Sequence, residues 1–353
     1  MTTRKLSADL LVLDGLHDDL IRSQPVVTTS RMHDLPSAEI IRERVSVWEK
    51  MYQRAKSTAT VKAVRADWQV FLAWCEQAGK WALPVSTEDF IQFLDDQRIL
   101  GKKRATINRY VNTVRLIHGA AQLPDPTEHP HWKLSWEGII RGLVEVDRNS
   151  PTQTEPLKSM QIQQILAVMG EAPIDLRDAA LLCLASDTLC RESELTQLRL
   201  EDFHQAGDGW TVDIRRSKAN QEGLGDTRFC SNQTKHRVDV WCQAAGISGG
   251  RIFLSMGRAK PVGLHQTGKP LAPAEVARIF RRRAMIAGIE NAEKITGHST
   301  RVGSVVELLE DGATLVDAQF AGGWKDMSQV LNYGRRAKAG QNAMAVMRSK
   351  KAI

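Results

Sequence analysis

The sequence predicts a mostly α-helical protein of two domains, with a small β-sheet in the second domain. Apolar residues recur at helical spacing along much of the 353-residue chain, whereas Trp210, Val212 and Ile214 alternate as in a half-buried strand. Residues 148–156 contain two prolines and no aliphatic or aromatic residue, which indicates an extended linker. A chain of this length can bury two cores of ordinary size.

Residues 1–36 are predicted to form a flexible arm, and residues 37–147 the first, helical domain. The arm holds five aspartates and is interrupted by two prolines. In the domain, Ser57 and Ser86 occupy capping positions ahead of apolar stripes. We assign these stripes to the core; they include Trp68, Phe71, Phe90, Phe93, Ile107, Tyr110, Ile117, Ile139 and Leu143.

The chain carries a formal net charge of +7 and has a pI near 9.2, which favours a polyanionic partner. This signal is weak by itself, because ribosomal, membrane-surface and secreted basic proteins share it. Five scattered cysteines form no C-x-x-C pair and no Cys/His cluster of zinc spacing, which predicts reduced thiols and no metal site. Since the sequence shows no apolar signal core and no stretch of membrane length, we expect a soluble, cytoplasmic protein.

Residues 157–353 are predicted to form the second domain, which contains the candidate chemistry. Arg191 and Glu194 lie one helical turn apart in T-L-C-R-E-S-E-L, a spacing that by itself indicates only a surface ion pair. Lys218 follows the alternating strand in a polar turn, where a lysine is usually just solvated. Lys235 is the alternative candidate for a catalytic lysine.

The densest group of candidate residues lies between residues 296 and 333. His298 and Arg301 are three residues apart and share a helix face, Trp324 follows two glycines, and Tyr333 comes nine residues later. A guanidinium binds two phosphate oxygens, and an imidazole moves a proton near neutral pH. A tyrosine oxygen becomes a nucleophile once its proton is removed. Together these groups suit attack on a phosphodiester.

Several of these motifs occur together. The combination of T-L-x-R-x-x-E-L, H-S-T-R-V-G, G-G-W and the following tyrosine resembles the tyrosine recombinases of the phage integrase family, and most of all the Cre-type enzymes. The resemblance extends from about residue 55 to about residue 350 and is most specific after Pro156. It implies a C-shaped clamp around DNA, built from a SAM-like core-binding domain and a catalytic domain with a small antiparallel sheet and a C-terminal tail helix.

The resemblance also implies which residues are catalytic. They are Arg191, Glu194, Lys218, His298, Arg301, Trp324 and Tyr333. The two arginines would clamp the phosphate, the histidine and the tryptophan would add hydrogen bonds to it, and the lysine would protonate the leaving 5′ oxygen. The glutamate would fix Arg191 or His298. The tyrosine would form a 3′-phosphotyrosyl link, a reaction that requires neither a metal nor another cofactor.

Basic residues on two predicted helices and after the predicted strand are candidate DNA contacts. They are Lys102, Lys103, Arg104, Arg109, Arg215, Arg216, Arg278, Arg281, Arg282 and Arg283. A helix with one basic face can lie along a DNA groove and release counterions, although a solvated face is the simpler explanation for residues 102–109. Arg109 is a hypothetical guanine contact. The four guanidiniums of residues 278–283 would repel one another unless an anion lay between them, which favours phosphate binding.

The expected partner is double-stranded DNA with an inverted-repeat site, bound by a homotetramer whose subunits are monomeric when free. The tail stripe Ala343, Met344 and Met347 would dock on a neighbouring subunit or on its own domain. Two alternatives remain: a type IB topoisomerase-like or telomere-resolving enzyme, and a DNA-binding protein of the same fold that does not cut. All seven matched positions hold chemically competent residues, which argues against the second alternative.

Overall fold

The chain divides into two compact units, Met1–Thr152 and Gln153–Ile353, each with its own hydrophobic core. The computed structural model describes residues 36–146, 154–215, 226–258, 264–340 and 347–348. The division falls inside the predicted linker, whereas the outer domain boundaries stay a prediction. The predicted arm, apart from Pro36, lies outside the described residues.

The first unit, where it is described, builds its regular structure from helices. They are α1 (Ala38–Ala55), α2 (Thr58–Ala78), α3 (Thr87–Ile99), α4 (Arg104–Ala121) and α5 (Trp132–Glu145). Both predicted caps are present: the Ser57 hydroxyl accepts the Thr60 N–H at 3.3 Å, and the Ser86 hydroxyl accepts the Asp89 N–H at 3.0 Å. Each cap satisfies a backbone donor that the first turn of a helix leaves unpaired.

The apolar stripes of these helices meet in one core, as predicted. Trp68, Phe71, Phe90 and Phe93 are fully buried. Phe71 meets the other two phenylalanines edge-on, with ring centroids 5.9 and 5.0 Å apart. The core fixes α4, whose first two turns and preceding loop carry the candidate DNA contacts of this unit.

The second unit combines helices with two small antiparallel sheets. Its helices are α6 (Ser159–Ala167), α7 (Pro173–Thr188), α8 (Glu192–Leu195), α9 (Asn232–Ala244), α10 (Pro273–Ile286), α11 (Ser299–Glu310), α12 (Leu315–Gly322) and α13 (Met327–Gly340). Its strands are β1 (Phe203–Ala206), β2 (Gly209–Asp213), β3 (Thr227–Cys230), β4 (Leu254–Arg258) and β5 (Leu264–Pro270). The first three form one sheet in chain order, and β4 pairs with β5. The predicted fold class, mostly α with small antiparallel sheets, is therefore confirmed.

The alternation predicted for residues 210–214 is also confirmed. Val212 and Ile214 are buried, whereas Trp210 is half-buried.

No helix in the described part of the chain is long and apolar enough to cross a membrane.

Helix α7 runs through the second core, and the candidate site lies at its carboxyl end. The helix is followed by Leu189, whose backbone is left-handed with a φ of 50°. This conformation costs a residue with a Cβ roughly 1–2 kcal/mol. The buried Leu189 side chain packs in a small cluster with Val305, Leu309 and Trp324, and this contact offsets the cost. The resulting sharp turn brings Arg191 to the site.

The five cysteines are free and buried, which agrees with the predicted thiols. Burial raises the pKa of Cys190, the residue before Arg191, to about 12. A thiol with this pKa stays protonated at neutral pH, so Cys190 is not a nucleophile there.

Candidate active site

Arg191 is held by a single buried carboxylate. Its Nη1 donates to Glu194 Oε1 at 2.7 Å, and its backbone N–H donates to Glu194 Oε2 at 2.8 Å. Glu194 is buried, whereas the Arg191 side chain keeps 17% of its surface exposed. The contact with Arg191, one of the two roles expected for Glu194, is therefore present. It fixes the guanidinium and leaves one side of it open to the surface.

Arg301 is a buried cation with incomplete hydrogen bonding. It lies in the first turn of α11 and is fully buried. Its Nη2 donates to the Gly322 carbonyl at 3.3 Å, but Nε and Nη1 have no hydrogen-bond partner among the described residues. Burial lowers the pKa of Arg301 to about 10, and the nearby Arg191 acts in the same direction. The group is still charged at neutral pH, and a buried charge with two unsatisfied donors favours binding of an anion.

Trp324 and Tyr333 complete the surroundings of Arg301. The Arg301 Cζ lies 4.2 Å from the centroid of the Trp324 ring, and the Trp324 and Tyr333 rings are 6.0 Å apart. Trp324 is 4% exposed and Tyr333 is half-buried. The expected hydrogen bond from the indole to a phosphate stays a prediction; the contacts that are present are the cation–π contact and packing.

The two glycines before Trp324 are explained by close approach. Gly323 has a φ of 58°, and a Cβ there would lie 1.8 Å from Arg228 Nη2. A Cβ on Gly322 would lie 1.6 Å from the Trp324 ring. Larger residues at these positions would move either the indole or the backbone carbonyl that binds Arg301. The G-G-W motif is therefore a packing requirement of this site.

His298 occupies the N-cap position of α11, directly before the turn that carries Arg301. It is half-buried, and its backbone N–H donates to Thr296 Oγ1 at 3.1 Å. Thr296 in turn donates its N–H to Ser299 Oγ at 2.9 Å. These bonds define a tight turn, so the position of the His298 side chain depends on the geometry of residues 296–299.

Lys218 and Arg216 lie outside the described residues, so their roles stay predictions. The chain on either side is anchored by ion pairs: Arg215 Nε donates to the buried Asp202 at 2.6 Å, and Asp226 pairs with Arg228. The Ile214 N–H also donates to the Asp226 carbonyl at 2.6 Å.

Lys235, the alternative to Lys218, is engaged in structure. It is 9% exposed, and its Nζ contacts the two Asp239 oxygens at 2.6 and 2.7 Å. The same ammonium lies 4.4 Å from the centroid of the Trp210 ring. A lysine held by a carboxylate and an aromatic face is poorly suited to transfer a proton to a substrate. These contacts favour a packing role for Lys235.

Arg228 is a buried cation near the site that the sequence reasoning did not select. It is 2% exposed and pairs with Asp226, and its Nε has no partner in the part of the chain that the structure describes. Its Nη2 abuts Gly323. Arg228 stands opposite the buried Val212 in the register of the sheet, a pairing that the sequence alone does not reveal.

The candidate DNA contacts of the first unit differ in their surroundings. Lys102 and Lys103 are exposed, and Arg104 is half-buried. Arg109 donates its Nε to Asp67 at 2.9 Å, and its Nη2 bonds to the other oxygen of the same buried carboxylate. The Arg109 side chain is still 56% exposed, so its contact with a guanine stays a prediction.

The arginine run of α10 is neutralised in part by the chain itself. Asp178 accepts hydrogen bonds from Arg177, Arg282 and Arg283, at 2.6, 2.9 and 2.7 Å respectively. Arg283 is buried and also pairs with Asp175 at 2.6 Å. Asp178 therefore supplies an anion among these guanidiniums, and phosphate binding by the exposed arginines of this run stays a prediction.

The four arginines therefore do not share one outer face. Arg283 lies on the buried side of α10 with Val276, Ile279 and Phe280. The other three lie nearer the surface: Arg278 and Arg282 are exposed, and Arg281 is half-buried. Arg281 donates to the Ile295 carbonyl at 3.2 Å.

One grouping of metal-ligand type occurs in the described part of the chain. Glu88, His129 and His131 are exposed, and their ligand atoms lie within 4.8 Å of one another. All three belong to the first unit, whereas every candidate catalytic residue belongs to the second. Among the described residues, the site around Arg301 thus offers cations, an indole and a phenol rather than a metal-ligand cluster.

The fold and these grouped residues define the class of protein. Residues 155–339, more than half of the chain, match the phage integrase family. The chain belongs to this family and is a tyrosine recombinase.

Two relatives span most of the chain. The Cre recombinase of Escherichia phage P1 is 23% identical over 304 residues, which cover 83% of this chain and 88% of that protein. An integrase/recombinase XerD homologue of Selenomonas ruminantium is 26% identical over 276 residues, which cover 74% of this chain and 77% of that protein.

Solved structures of recombinases share the fold. The XerH site-specific recombinase in a post-cleavage complex with a palindromic difH substrate has a TM-score of 0.56 at 13% identity, covering 91% of this chain and 90% of that chain. A lambda integrase dimer bound to a COC′ core site has a TM-score of 0.51 at 15% identity, covering 83% and 94%. At these identities the likeness shows the fold alone.

Proposed function

We propose that this chain is a site-specific DNA recombinase that cuts and rejoins duplex DNA through a covalent bond to Tyr333. The observation that carries this proposal is the buried guanidinium of Arg301, whose hydrogen bonding is incomplete among the described residues. Arg191 and Tyr333 lie near enough to Arg301 to influence its pKa. A phosphate provides the oxygens that its unsatisfied donors require. The names of the relatives and of the DNA complexes support DNA as the partner.

The two arginines stabilise the transition state of the cleavage step. A tyrosine in water has a pKa of about 10, so roughly one molecule in a thousand is ionised at neutral pH. The site must therefore favour loss of the phenolic proton and neutralise the charge that grows on the phosphate. Arg301 and Arg191 serve both needs, and removal of one such donor typically costs about 10²–10³ in rate. His298 adds a hydrogen bond to the same phosphate.

The bond changes balance without a nucleotide. Tyr333 loses its phenolic proton to water and its Oη attacks the phosphorus; a 3′-phosphotyrosyl bond forms, and the bond from phosphorus to the 5′ oxygen breaks. Lys218 gives its proton to the leaving 5′ oxygen. A 5′ hydroxyl from a second duplex then attacks the phosphotyrosyl bond, returns its proton to Lys218 and releases the tyrosine, which regains a proton from water. Because the bond energy is conserved in the covalent link, strand exchange needs no ATP.

Strand exchange between two duplexes requires several subunits, and we propose a homotetramer on two inverted-repeat sites.

The tail beyond Tyr333 supplies the contact between subunits. Met347, the member of the tail stripe whose side chain is described, is 36% exposed. A groove of about 480 Å³ on the second unit suits such a tail, because Leu308, Phe229 and Phe320 line it beside Asp187, Glu307 and Asp311. The tail has six basic residues and no acidic ones, so its charge is complementary to the groove.

A nicked suicide substrate tests the cleavage proposal. The target is first selected from a random or genomic pool of duplexes, and a nick is placed beside the scissile phosphate so that religation is impossible. Wild-type protein should form a covalent adduct that survives denaturing gel electrophoresis. Tyr333→Phe should bind the same duplex with nearly unchanged affinity and form no adduct, because only the nucleophilic oxygen is removed.

Two outcomes would contradict the proposal. Absence of an adduct with wild-type protein that binds the site would indicate a DNA-binding protein that does not cut. An adduct that persists in Tyr333→Phe would mean that another residue attacks. Exchange between two labelled duplexes, measured in the same reactions, separates a recombinase from a type IB topoisomerase-like enzyme, which relaxes DNA without exchanging partners.

A further inference from the structure

Two adjoining parts of the site meet at Glu192 and Gly297. Glu192 directly follows Arg191, and Gly297 directly precedes His298. The Glu192 carboxylate lies against the backbone of Gly297, whose N–H acts to lower the pKa of that carboxylate. A Cβ on Gly297 would lie 1.9 Å from Glu192 Oε1 and 2.3 Å from its Cγ and Cδ. The two loops are therefore in direct contact, and this contact is possible only because residue 297 lacks a side chain.

The position of Glu192 is costly for a carboxylate. Burial raises the pKa of Glu192, and the Gly297 N–H only partly opposes this effect. The charged side chain thus loses hydration, a loss that an uncharged residue would avoid. Glu194, two residues later, is better compensated because it receives two hydrogen bonds from Arg191. The location of Glu192 is thus poorly explained by stability alone.

The contact completes the support of the His298 turn. Within the turn, His298 donates its N–H to Thr296, and Thr296 donates its N–H to Ser299. The Gly297 N–H lies between these two donors in sequence and points to a different loop, the one that begins with Arg191. Glu192 therefore ties the peptide just before His298 to the residue just after Arg191.

We propose that Glu192 is a positioning residue that sets the location of His298 relative to Arg191, so that both reach the same phosphate. This inference rests on the proposed function, in which the two side chains share a substrate. It assigns Glu192 no direct contact with DNA. The role is carried by its oxygen as an acceptor, not by its charge.

The first test compares two substitutions of the same residue. Glu192→Ala removes the acceptor and should slow single-turnover cleavage of the suicide substrate by about 10- to 100-fold, because displacement of a group by about 1 Å has effects of this size. Glu192→Gln keeps an acceptor oxygen and should cleave within about threefold of wild type. Both variants should bind the DNA site, and neither should melt well below wild type, because each removes a partly buried charge. Glu293→Ala, which replaces an exposed glutamate elsewhere in the second unit, is the control and should change nothing.

The second test uses the steric fit between Gly297 and the Glu192 side chain. Gly297→Ala alone should cleave poorly, because its Cβ collides with the Glu192 side chain. The double variant with Glu192→Ala has room for that Cβ, so it should cleave no more slowly than Glu192→Ala alone. In a His298→Ala background, Glu192→Ala should cause no further loss, since it acts through His298.

Three results would overturn the inference. They are wild-type cleavage by Glu192→Ala, a large fall in its melting temperature, and an undiminished effect in the His298→Ala background. Failure of the proposed function looks different, because wild-type protein would then form no covalent adduct at all.

Discussion

The guanidinium of Arg301 lies over the indole of Trp324, with Cζ 4.2 Å from the ring centroid. This cation–π contact and one backbone carbonyl are the partners that the structure gives to a fully buried charge. Cation–π contacts contribute about 2 kcal/mol when desolvated, less than burial of a charge costs. The DNA-free protein therefore holds Arg301 at a cost in stability.

Replacement of Arg301 should change stability and activity in opposite directions. Burial lowers the pKa of Arg301 from its ordinary value to about 10, so the folded state disfavours the charged form at every pH below about 10. At about 1.36 kcal/mol per pKa unit, the cost is on the order of 3 kcal/mol. Arg301→Met should thus raise the melting temperature of DNA-free protein at pH 7 while cleavage falls by about 10²- to 10³-fold.

Arg191→Met is the matched control for this prediction. It leaves the buried Glu194 carboxylate without its cation, so its melting temperature should fall. Calorimetry of the two variants beside wild type provides the measurement. A lower melting temperature for Arg301→Met would show that its packing outweighs the cost of its charge.

Variants of Lys218 and Lys235 should differ in how their cleavage rates depend on the leaving group. Lys218→Ala should slow cleavage of an ordinary phosphodiester far more than cleavage of a 5′-bridging phosphorothioate, because sulfur leaves without being protonated. Lys235→Met should reduce stability but cleave both substrates at nearly wild-type rates, since its ammonium is held by Asp239 and Trp210. Rates are measured in single turnover on both substrates. Equal slowing of both by Lys218→Ala would remove Lys218 from the role of general acid.

Substitutions of two arginines of α10 should have different effects: one should lower DNA affinity, and the other should lower the stability of the protein. Arg278→Ala removes an exposed cation and should reduce the slope of log affinity against log salt by about one. Arg283→Ala breaks buried ion pairs with Asp175 and Asp178 and should cost about 3–5 kcal/mol of stability. Anisotropy titrations at several salt concentrations and thermal melts provide the two readouts. An unchanged salt slope for Arg278→Ala would exclude it as a phosphate contact.

Truncation after Arg336 should affect assembly rather than chemistry. It keeps every proposed catalytic residue but removes the stripe Ala343, Met344 and Met347. Each large apolar side chain contributes roughly 1.5–3 kcal/mol when fully buried, so loss of this contact should abolish cooperative filling of a two-site duplex. Band-shift titrations on one-site and two-site DNA compare the truncated and full-length chains. If the midpoints for one and two bound subunits keep their spacing, the tail packs on its own subunit.

Cleavage and rejoining should proceed in excess EDTA without nucleotide. The proposed chemistry uses arginines, a lysine and a tyrosine, and the grouping of Glu88, His129 and His131 lies in the other unit. Adduct formation and strand exchange are measured with and without chelator. Loss of activity that magnesium alone restores, with DNA binding unaffected, would count against the phosphotyrosyl scheme.

The features that were predictable from sequence depend on residues close together in the chain. The caps at Ser57 and Ser86 act over three residues, and the ion pair of Arg191 with Glu194 spans one turn. The alternation at Val212 and Ile214 is likewise local. Such patterns follow from the geometry of a helix or a strand, so they do not require knowledge of the fold.

The contacts that the sequence did not predict join residues that are distant in the chain. Arg283, a candidate DNA contact, pairs with Asp178, 105 residues earlier. Arg109 similarly pairs with Asp67, 42 residues earlier. A run of arginines shows how much charge there is, but not which carboxylates the folded chain brings to it. The contact of Glu192 with Gly297 was missed for the same reason.

The burial of all five thiols has a practical consequence. Burial raises the pKa of Cys75, Cys190 and Cys230 to about 12 and that of Cys183 and Cys242 to about 11. Alkylating dyes react with exposed thiolates, so at neutral pH they should not label the five native cysteines. A cysteine introduced at the exposed Lys62 of one unit and another at the exposed Glu293 of the other should take fluorophores selectively. Energy transfer between these fluorophores can follow the spacing of the two units as DNA is bound, cut and released, without removal of a single native cysteine.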